Sequence, residues 1–230
     1  MLKPSKTQTL LGWVTFIVTM FALYMTFIYA PMEKVMGVVQ KIFYFHVASA
    51  WNAFFAFFIV FVASIAYLLN KNEKWDTIAK VSAEIGVVFT TIVLVTGPIW
   101  GHAAWGRWWT WEPRLTTTLI LWFIYLAYVL VRASSIEGEK KATMAAVFGI
   151  IGFIDVPIVF FAIRWWGSLA HPEVVTGSGG GLDPRMLHAL ITSVIAFTCI
   201  YFYLLTQGIL IERTEARVKS IKNQLRERNN

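Results

Sequence analysis

Residues Val47–Asn70 have the sequence VASAWNAFFAFFIVFVASIAYLLN, which is 24 residues without a charged side chain. A helix of this length is about 36 Å long, enough to cross a bilayer whose hydrocarbon core is about 30 Å thick. Five further apolar runs of comparable length are Leu10–Ala30, Ala79–Trp100, Leu115–Val131, Ala142–Ile163 and Met186–Ile211. The sequence therefore predicts an all-α integral membrane protein with six transmembrane helices.

The composition excludes several classes of protein. Of the 230 residues, 57% are hydrophobic and 14% are charged, which is too apolar for a soluble domain of this size. The first run lacks a small-residue cleavage site, so we expect it to be retained as a helix. The single cysteine, Cys199, excludes an internal disulfide and the CxxC and CxxCH motifs of thiol oxidoreductases and c-type cytochromes. No GxxxxGK[ST] motif for ATP hydrolysis is present.

The distribution of positive charge predicts the orientation of the chain in the membrane. Fourteen of the 20 Lys and Arg residues fall on the side of the six-helix layout that carries both termini. Cytoplasmic loops collect Lys and Arg, so both termini are predicted to be cytoplasmic. The net charge of +7 is then explained by the topology of the chain in a lipid bilayer, which is its expected partner. No nucleic-acid partner is expected. We predict one membrane domain over residues 1–230, with residues 212–230 as a basic cytoplasmic tail.

A segment rich in tryptophan connects the third and fourth apolar runs. Residues 105–115 have the sequence WGRWWTWEPRL and are predicted to lie at the outer face of the membrane. Helical spacing predicts a short amphipathic helix along the interface, with the fourth membrane helix beginning at Pro113. One face of this interfacial helix would carry Trp105, Trp108, Trp109 and Glu112, and the other would carry Arg107, Trp111 and Arg114.

Two interpretations of this segment remain open from the residues alone. Tryptophan is enriched at membrane interfaces, so the segment serves in one interpretation as an anchor. The density of tryptophan and the flanking arginines favour, with about equal weight, a binding surface for a planar and anionic ligand.

All four histidines are predicted to lie at the level of these tryptophans: His46, His102, His171 and His188. A single histidine at a membrane boundary is more often a hydrogen-bonded interface residue than a ligand. Haem, however, takes histidine nitrogen as an axial ligand, aromatic faces for its macrocycle and cations for its propionates. The outer arginines available for that role are Arg107, Arg114, Arg164 and Arg185. Zinc is disfavoured because the sequence has no HxxxH or HExxH spacing.

The stretch WGRWWTWEPRLT resembles the tryptophan-rich (WWD) signature of membrane proteins that handle haem in cytochrome c biogenesis. The size, the six spans and the flanking motifs resemble the CcmC family, the haem exporter protein C family, in particular. FYFHVASAW, residues 43–51, is similar to the segment that bears the family's first axial histidine, and RWWGSLAH, residues 164–171, is similar to that of the second. VTGPIWG, residues 95–101, also fits the family. Two departures are Glu112, where the family has Asp, and Ala170, one residue more before the second histidine.

This resemblance implies a haem site at the periplasmic face of the bacterial inner membrane. In it, His46 and His171 ligate the iron of non-covalent haem b from opposite faces, a bis-His arrangement. The tryptophan segment would support the macrocycle and its propionates through Trp105, Trp108, Trp109, Trp111, Glu112, Arg107 and Arg114. Such a protein is not an enzyme.

The same resemblance implies the partners of the chain. It would deliver its haem to a periplasmic haem chaperone (CcmE-like), together with ATP-binding cassette complex subunits of the same pathway (CcmA, CcmB, CcmD-like). Two alternatives belong to other classes. A quinol-oxidising b-type cytochrome would be expected to bury its histidines in mid-span. A cytochrome c synthase-like enzyme would be expected to carry more spans. A small-molecule permease would be expected to show broken helices or an internal repeat.

Overall fold

The computed structural model describes residues 5–34, 36–134, 138–167 and 182–229, with the backbone alone described at Trp105 and Asn229. Six long helices dominate this part of the chain: α1 Lys6–Tyr24, α2 Ile42–Asn70, α3 Glu73–Trp105, α4 Pro113–Ala133, α5 Gly138–Trp166 and α6 Pro184–Asn229. Each is long and apolar enough to cross a membrane, with α1 continued by the π-helical turn Met25–Tyr29. Apart from one isolated bridge between Glu33 and Gly37, the described residues contain no β-structure. The predicted all-α fold with six membrane helices is confirmed.

Local signals set the ends of these helices. Ser5 and Gln8 form a capping box at the start of α1, in which each side chain bonds the backbone of the other residue. Asn72 accepts a hydrogen bond from the backbone N–H of Lys74 and so caps the start of α3. α4 begins at Pro113, whose missing N–H is no loss in a first helical turn.

Helix α2 lies at the centre of the bundle and packs on α3, α5 and α6. Small residues let the helices approach closely, as in other membrane bundles. Gly86 of α3 lies directly against the ring of Phe57, where any added side chain would clash. The same ring stacks on Tyr125 of α4, with 3.6 Å between the ring centroids. These contacts fix α3 and α4 relative to α2, and thereby the segment that joins them.

The two ends of the bundle differ in chemistry. The starts of α2 and α4 meet the ends of α3 and α5 around the tryptophan segment, and the start of α6 packs beside them. We call this the tryptophan end. The opposite end, which we call the charged end, holds the ion pairs Arg132–Asp76, Lys80–Glu212 and Lys71–Glu139. From the charged end α6 runs on as a helix to Asn229, with exposed side chains along its last turns.

Candidate ligand-binding cavity at the tryptophan end

The tryptophan segment is not a helix. α3 ends at Trp105, and Gly106 adopts a left-handed backbone (φ 70°) from which its N–H bonds the carbonyl of His102 at 2.9 Å. Glycine takes this conformation without steric cost and is the usual end of a helix. Residues 107–112 then continue without helical structure to Pro113. The predicted interfacial helix is therefore wrong because the Gly106 cap overrides the helical spacing, whereas the predicted start of α4 at Pro113 is confirmed.

This irregular segment, residues 107–112, forms part of the wall of a cavity of about 520 Å³ at the tryptophan end. The walls come from α2, α3, α4, α5 and residues 107–112. The volume lies in the range of sites that hold small molecules and cofactors. Its aromatic lining comprises Phe43, Trp51, Phe54, Trp100, Trp108, Trp109 and Phe160. The wall of the cavity is thus largely apolar and includes several flat aromatic rings.

His46 lines this cavity from the second turn of α2. Its Nδ1 lies 2.9 Å from Oγ1 of Thr96 on α3. The imidazole also packs near the indole of Trp100, with 6.2 Å between the ring centroids. The ring is therefore held from two sides by α3.

Two arginines bring positive charge to the same cavity. Arg114, in the first turn of α4, is half-buried and donates a hydrogen bond from Nη2 to the Phe160 carbonyl at 3.2 Å. Arg107 is exposed and lines the cavity from the irregular segment. Within the described ranges neither guanidinium forms an ion pair with a carboxylate of the chain. Arginine matches carboxylates in geometry as well as in charge, so this arrangement favours an anionic ligand.

Trp109 lines the cavity and carries an unsatisfied donor that is buried. Its Nε1 atom is buried and has no acceptor among the residues that the structure describes. A buried N–H without a partner is rare in folded proteins, and a ligand is one of the few explanations. The indole is positioned by a T-shaped contact with Trp111, at 5.7 Å between ring centroids.

The remaining tryptophans of the segment have different surroundings. Trp108 lines the cavity and stacks on His102 at 4.1 Å between ring centroids, nearly parallel. Trp111 is exposed and does not line the cavity. Glu112 lines the cavity from the position just before α4, where its side chain makes no capping hydrogen bond to the helix.

The other predicted residues lie elsewhere or cannot be placed. His102 and His188 do not line the cavity, and His188 instead lies 3.4 Å from the Tyr29 hydroxyl. His171 and the side chain of Trp105 lie outside the described residues.

The sequence analysis did not single out Thr96, Gly97 or Phe160, although all three lie at the site. Thr96 and Gly97 belong to the VTGPIWG stretch that contributed to the family resemblance. That stretch was the only available signal, because contacts between α3 and the start of α2 have no periodicity along the chain.

Taken together, these observations define a polytopic membrane protein with a cavity lined by aromatic side chains and two arginines at one end of its helical bundle. The chain belongs to the heme exporter protein C (CcmC) family, whose sequence model matches residues 3–224.

Individual relatives agree with this assignment. Heme exporter protein C of Bradyrhizobium diazoefficiens is 34% identical over 220 residues, which cover 94% of this chain and 83% of that protein. Heme exporter protein C of Escherichia coli K12 is 30% identical over 169 residues, covering 74% of this chain and 68% of that protein. A mitochondrial protein of Arabidopsis thaliana, described as ccmC-like and connected with cytochrome c biosynthesis, is 31% identical over 217 residues.

Family membership decides between the classes of function that the sequence left open. The protein is a haem-handling transport component of cytochrome c maturation and acts in the haem export pathway. A component of this kind is not an enzyme, so the expectation from the sequence is confirmed and the cytochrome and synthase alternatives are set aside. With six spanning helices, it is a multi-pass membrane protein.

Proposed function

We propose that the protein binds haem b non-covalently in the cavity at the tryptophan end and passes it to a periplasmic haem chaperone. One observation carries the proposal. The fold brings His46 of α2 to the same aromatic cavity as Trp109 and Arg114, which lie more than 60 positions further along the chain.

The described residues fit each part of a haem molecule. The aromatic walls suit a flat apolar macrocycle, and His46 offers a ring nitrogen of the kind that ligates haem iron. Arg107, Arg114 and the Nε1–H of Trp109 are donors for two carboxylates. Glu112, the one acidic residue in the lining, is the exception to this positive character.

His171 is the proposed second axial ligand. It stands five residues beyond Trp166, the last residue of α5, and α5 reaches the cavity through Phe160. An extended chain covers about 3.3–3.6 Å per residue, so five residues span up to roughly 17 Å. This reach is sufficient to return a side chain from the end of α5 to the cavity.

The proposal includes an orientation and partners. The charge distribution supports cytoplasmic termini, which would place the tryptophan end at the periplasmic face of the inner membrane and residues 212–230 in the cytoplasm. The haem acceptor would be a CcmE-like chaperone. CcmA, CcmB and CcmD-like subunits would assemble with the chain and release the loaded chaperone. The exposed positions of Trp108 and Trp111 suit contact with a partner at the membrane surface.

A transfer experiment tests this function. The full-length protein is purified in detergent from haem-replete cells, and its haem is quantified by the pyridine haemochrome spectrum. It is then mixed with the soluble domain of the haem-free chaperone and separated from it by affinity chromatography. We expect haem to leave the membrane protein and appear on the chaperone, and far less to appear on a chaperone variant without its haem-binding histidine. A membrane protein purified without haem, or one that retains all of its haem, would contradict the proposal.

A further inference from the structure

We infer that Thr96 is a positioning residue for His46. Its hydroxyl oxygen accepts a hydrogen bond from the Nδ1–H of His46, and Nε2 is then the nitrogen offered to iron. This inference rests on the proposed function, because it concerns the same haem site. Thr96 would act only through His46 and would not touch the haem.

The hydrogen bonds around Thr96 determine which atom donates. The Thr96 hydroxyl lies 2.6 Å from the Ile92 carbonyl, four residues earlier in α3, and donates its only proton there. Its oxygen can therefore only accept from His46 Nδ1, which lies 2.9 Å away. A neutral imidazole that donates from Nδ1 carries its lone pair on Nε2, which is the form that binds a metal.

The backbone around Thr96 holds this geometry. Threonine is stiff at χ1, and a hydroxyl bonded to the carbonyl four residues back has little freedom to rotate. Gly97 beside it leaves room for the imidazole, since a Cβ built there would lie only 3.3 Å from Cε1 of His46. Trp100 contacts the same ring one turn further along α3. The ring orientation is thus set by three successive features of one helix.

Partners of this kind control metal sites. A ligating histidine usually donates its other N–H to an oxygen, which fixes the tautomer and the ring orientation, and loss of that oxygen typically weakens metal binding about 10- to 100-fold. A threonine that merely satisfied a buried histidine would contribute to stability without this effect on the ligand.

Substitutions at Thr96 separate the two roles. Thr96→Val keeps the shape and removes the acceptor, whereas Thr96→Ser keeps the hydroxyl. Thr91→Val is the matched control, because Thr91 lies on the same helix, bonds the Val87 carbonyl in the same way and does not line the cavity. Haem is titrated into each haem-free protein in detergent and followed by visible absorption. We expect about tenfold weaker haem binding or more for Thr96→Val, and affinity within about threefold of wild type for Thr96→Ser and Thr91→Val.

Small-molecule rescue tests whether the effect passes through the imidazole N–H. In a His46→Gly variant loaded with haem, added imidazole replaces the missing side chain and still has an N–H for Thr96. 1-Methylimidazole ligates iron equally but has no N–H. We expect imidazole to restore the low-spin spectrum at a lower concentration than 1-methylimidazole, and this preference to disappear in the His46→Gly, Thr96→Val double variant.

The outcomes are distinguishable from failure of the proposed function. A wild-type protein that binds no haem removes the proposed function itself. If wild type binds haem and Thr96→Val binds it equally well with the same spectrum, only the positioning role is overturned. If the preference for imidazole persists in the double variant with Thr96→Val, the positioning role is overturned as well. Valine has the shape of threonine but no acceptor, so the preference would then have a steric cause.

Discussion

The charged end and the tryptophan end of the bundle both contain arginines, but these arginines have different partners. At the charged end, the Arg132 side chain is only 8% exposed and bonds both carboxylate oxygens of Asp76 and the hydroxyl of Tyr128. At the tryptophan end, Arg107 and Arg114 line an aromatic cavity and form no ion pair among the described residues.

This difference predicts that the charged end contributes to the stability of the fold and the tryptophan end to ligand binding. The charged end pairs its buried arginine with a carboxylate of the chain, and breaking such a buried pair leaves an uncompensated charge at a large cost. The tryptophan end keeps two arginines in the wall of a cavity. Trp109, which also lines the cavity, has a buried Nε1–H without an acceptor among the described residues. Substitutions at the charged end should therefore change folding, and those at the tryptophan end should change affinity for the ligand.

The largest effect is expected for Asp76→Asn. Removing the carboxylate leaves the buried Arg132 guanidinium without its counter-charge, which should lower the free energy of unfolding by about 3 kcal/mol. Thermal unfolding in detergent measures this loss. Lys71→Gln breaks the more exposed Lys71–Glu139 pair and should cost less than about 1 kcal/mol. Equal losses in the two variants would contradict a special role of the buried pair.

Arg114→Leu should show the opposite pattern. Hydrogen bonds to charged groups contribute about 1.5–3 kcal/mol, so the loss of a propionate partner should weaken haem binding roughly 10- to 100-fold. The thermal midpoint of the haem-free protein should fall less than in Asp76→Asn, because Arg114 donates only one hydrogen bond within the described chain, to the Phe160 carbonyl. Arg185→Leu is the control, because Arg185 pairs with Asp183 and does not line the cavity. A lower thermal midpoint with unchanged haem affinity would assign Arg114 to folding.

Trp109→Phe removes the buried Nε1–H and retains an aromatic ring. Since this donor has no partner in the described chain, the haem-free protein should lose little or no stability. The haem complex should lose a hydrogen bond of about 0.5–1.5 kcal/mol, which is roughly a two- to tenfold weaker affinity. The exposed Trp111 provides the control variant Trp111→Phe. Destabilisation of the haem-free protein alone would show that Nε1 has a structural partner.

The smallest effect is expected at Glu112. A negative charge at the start of α4 interacts favourably with the helix dipole by about 0.3–1 kcal/mol. Glu112→Gln should lose this amount in thermal unfolding, whereas Glu112→Asp, which restores the family's residue, should not. A larger loss for Glu112→Asp than for Glu112→Gln would show that the length of the side chain matters more than its charge.

Much of the fold was predictable because apolarity marks membrane spans directly. All six predicted runs lie within observed helices, except that Ala30 follows the π-helical turn. The helices extend further than the apolar runs, and α6 continues from Ile211 to Asn229. Hydrophobicity reports only the part of a helix that sits in lipid, whereas a helix stops where a residue such as Gly106 ends it.

Sequence reasoning named six residues that the fold brings to one cavity, but it did not give their geometry. His46, Arg107, Trp108, Trp109, Glu112 and Arg114 do line one cavity. Helical spacing nevertheless grouped them wrongly, since Gly106 ends α3 before the segment begins. The contact between His46 and Thr96 joins two helices across 50 positions of sequence, and no pattern within either helix predicts it.

The central claim is that the cavity at the tryptophan end binds haem through His46. Haem titration of the haem-free wild type and of His46→Ala, followed by visible absorption, tests it most directly. We expect wild type to saturate near one haem per chain with a low-spin spectrum, and His46→Ala to bind haem more than about tenfold less tightly with an altered spectrum. A His46→Ala protein with the affinity and spectrum of wild type would contradict the claim.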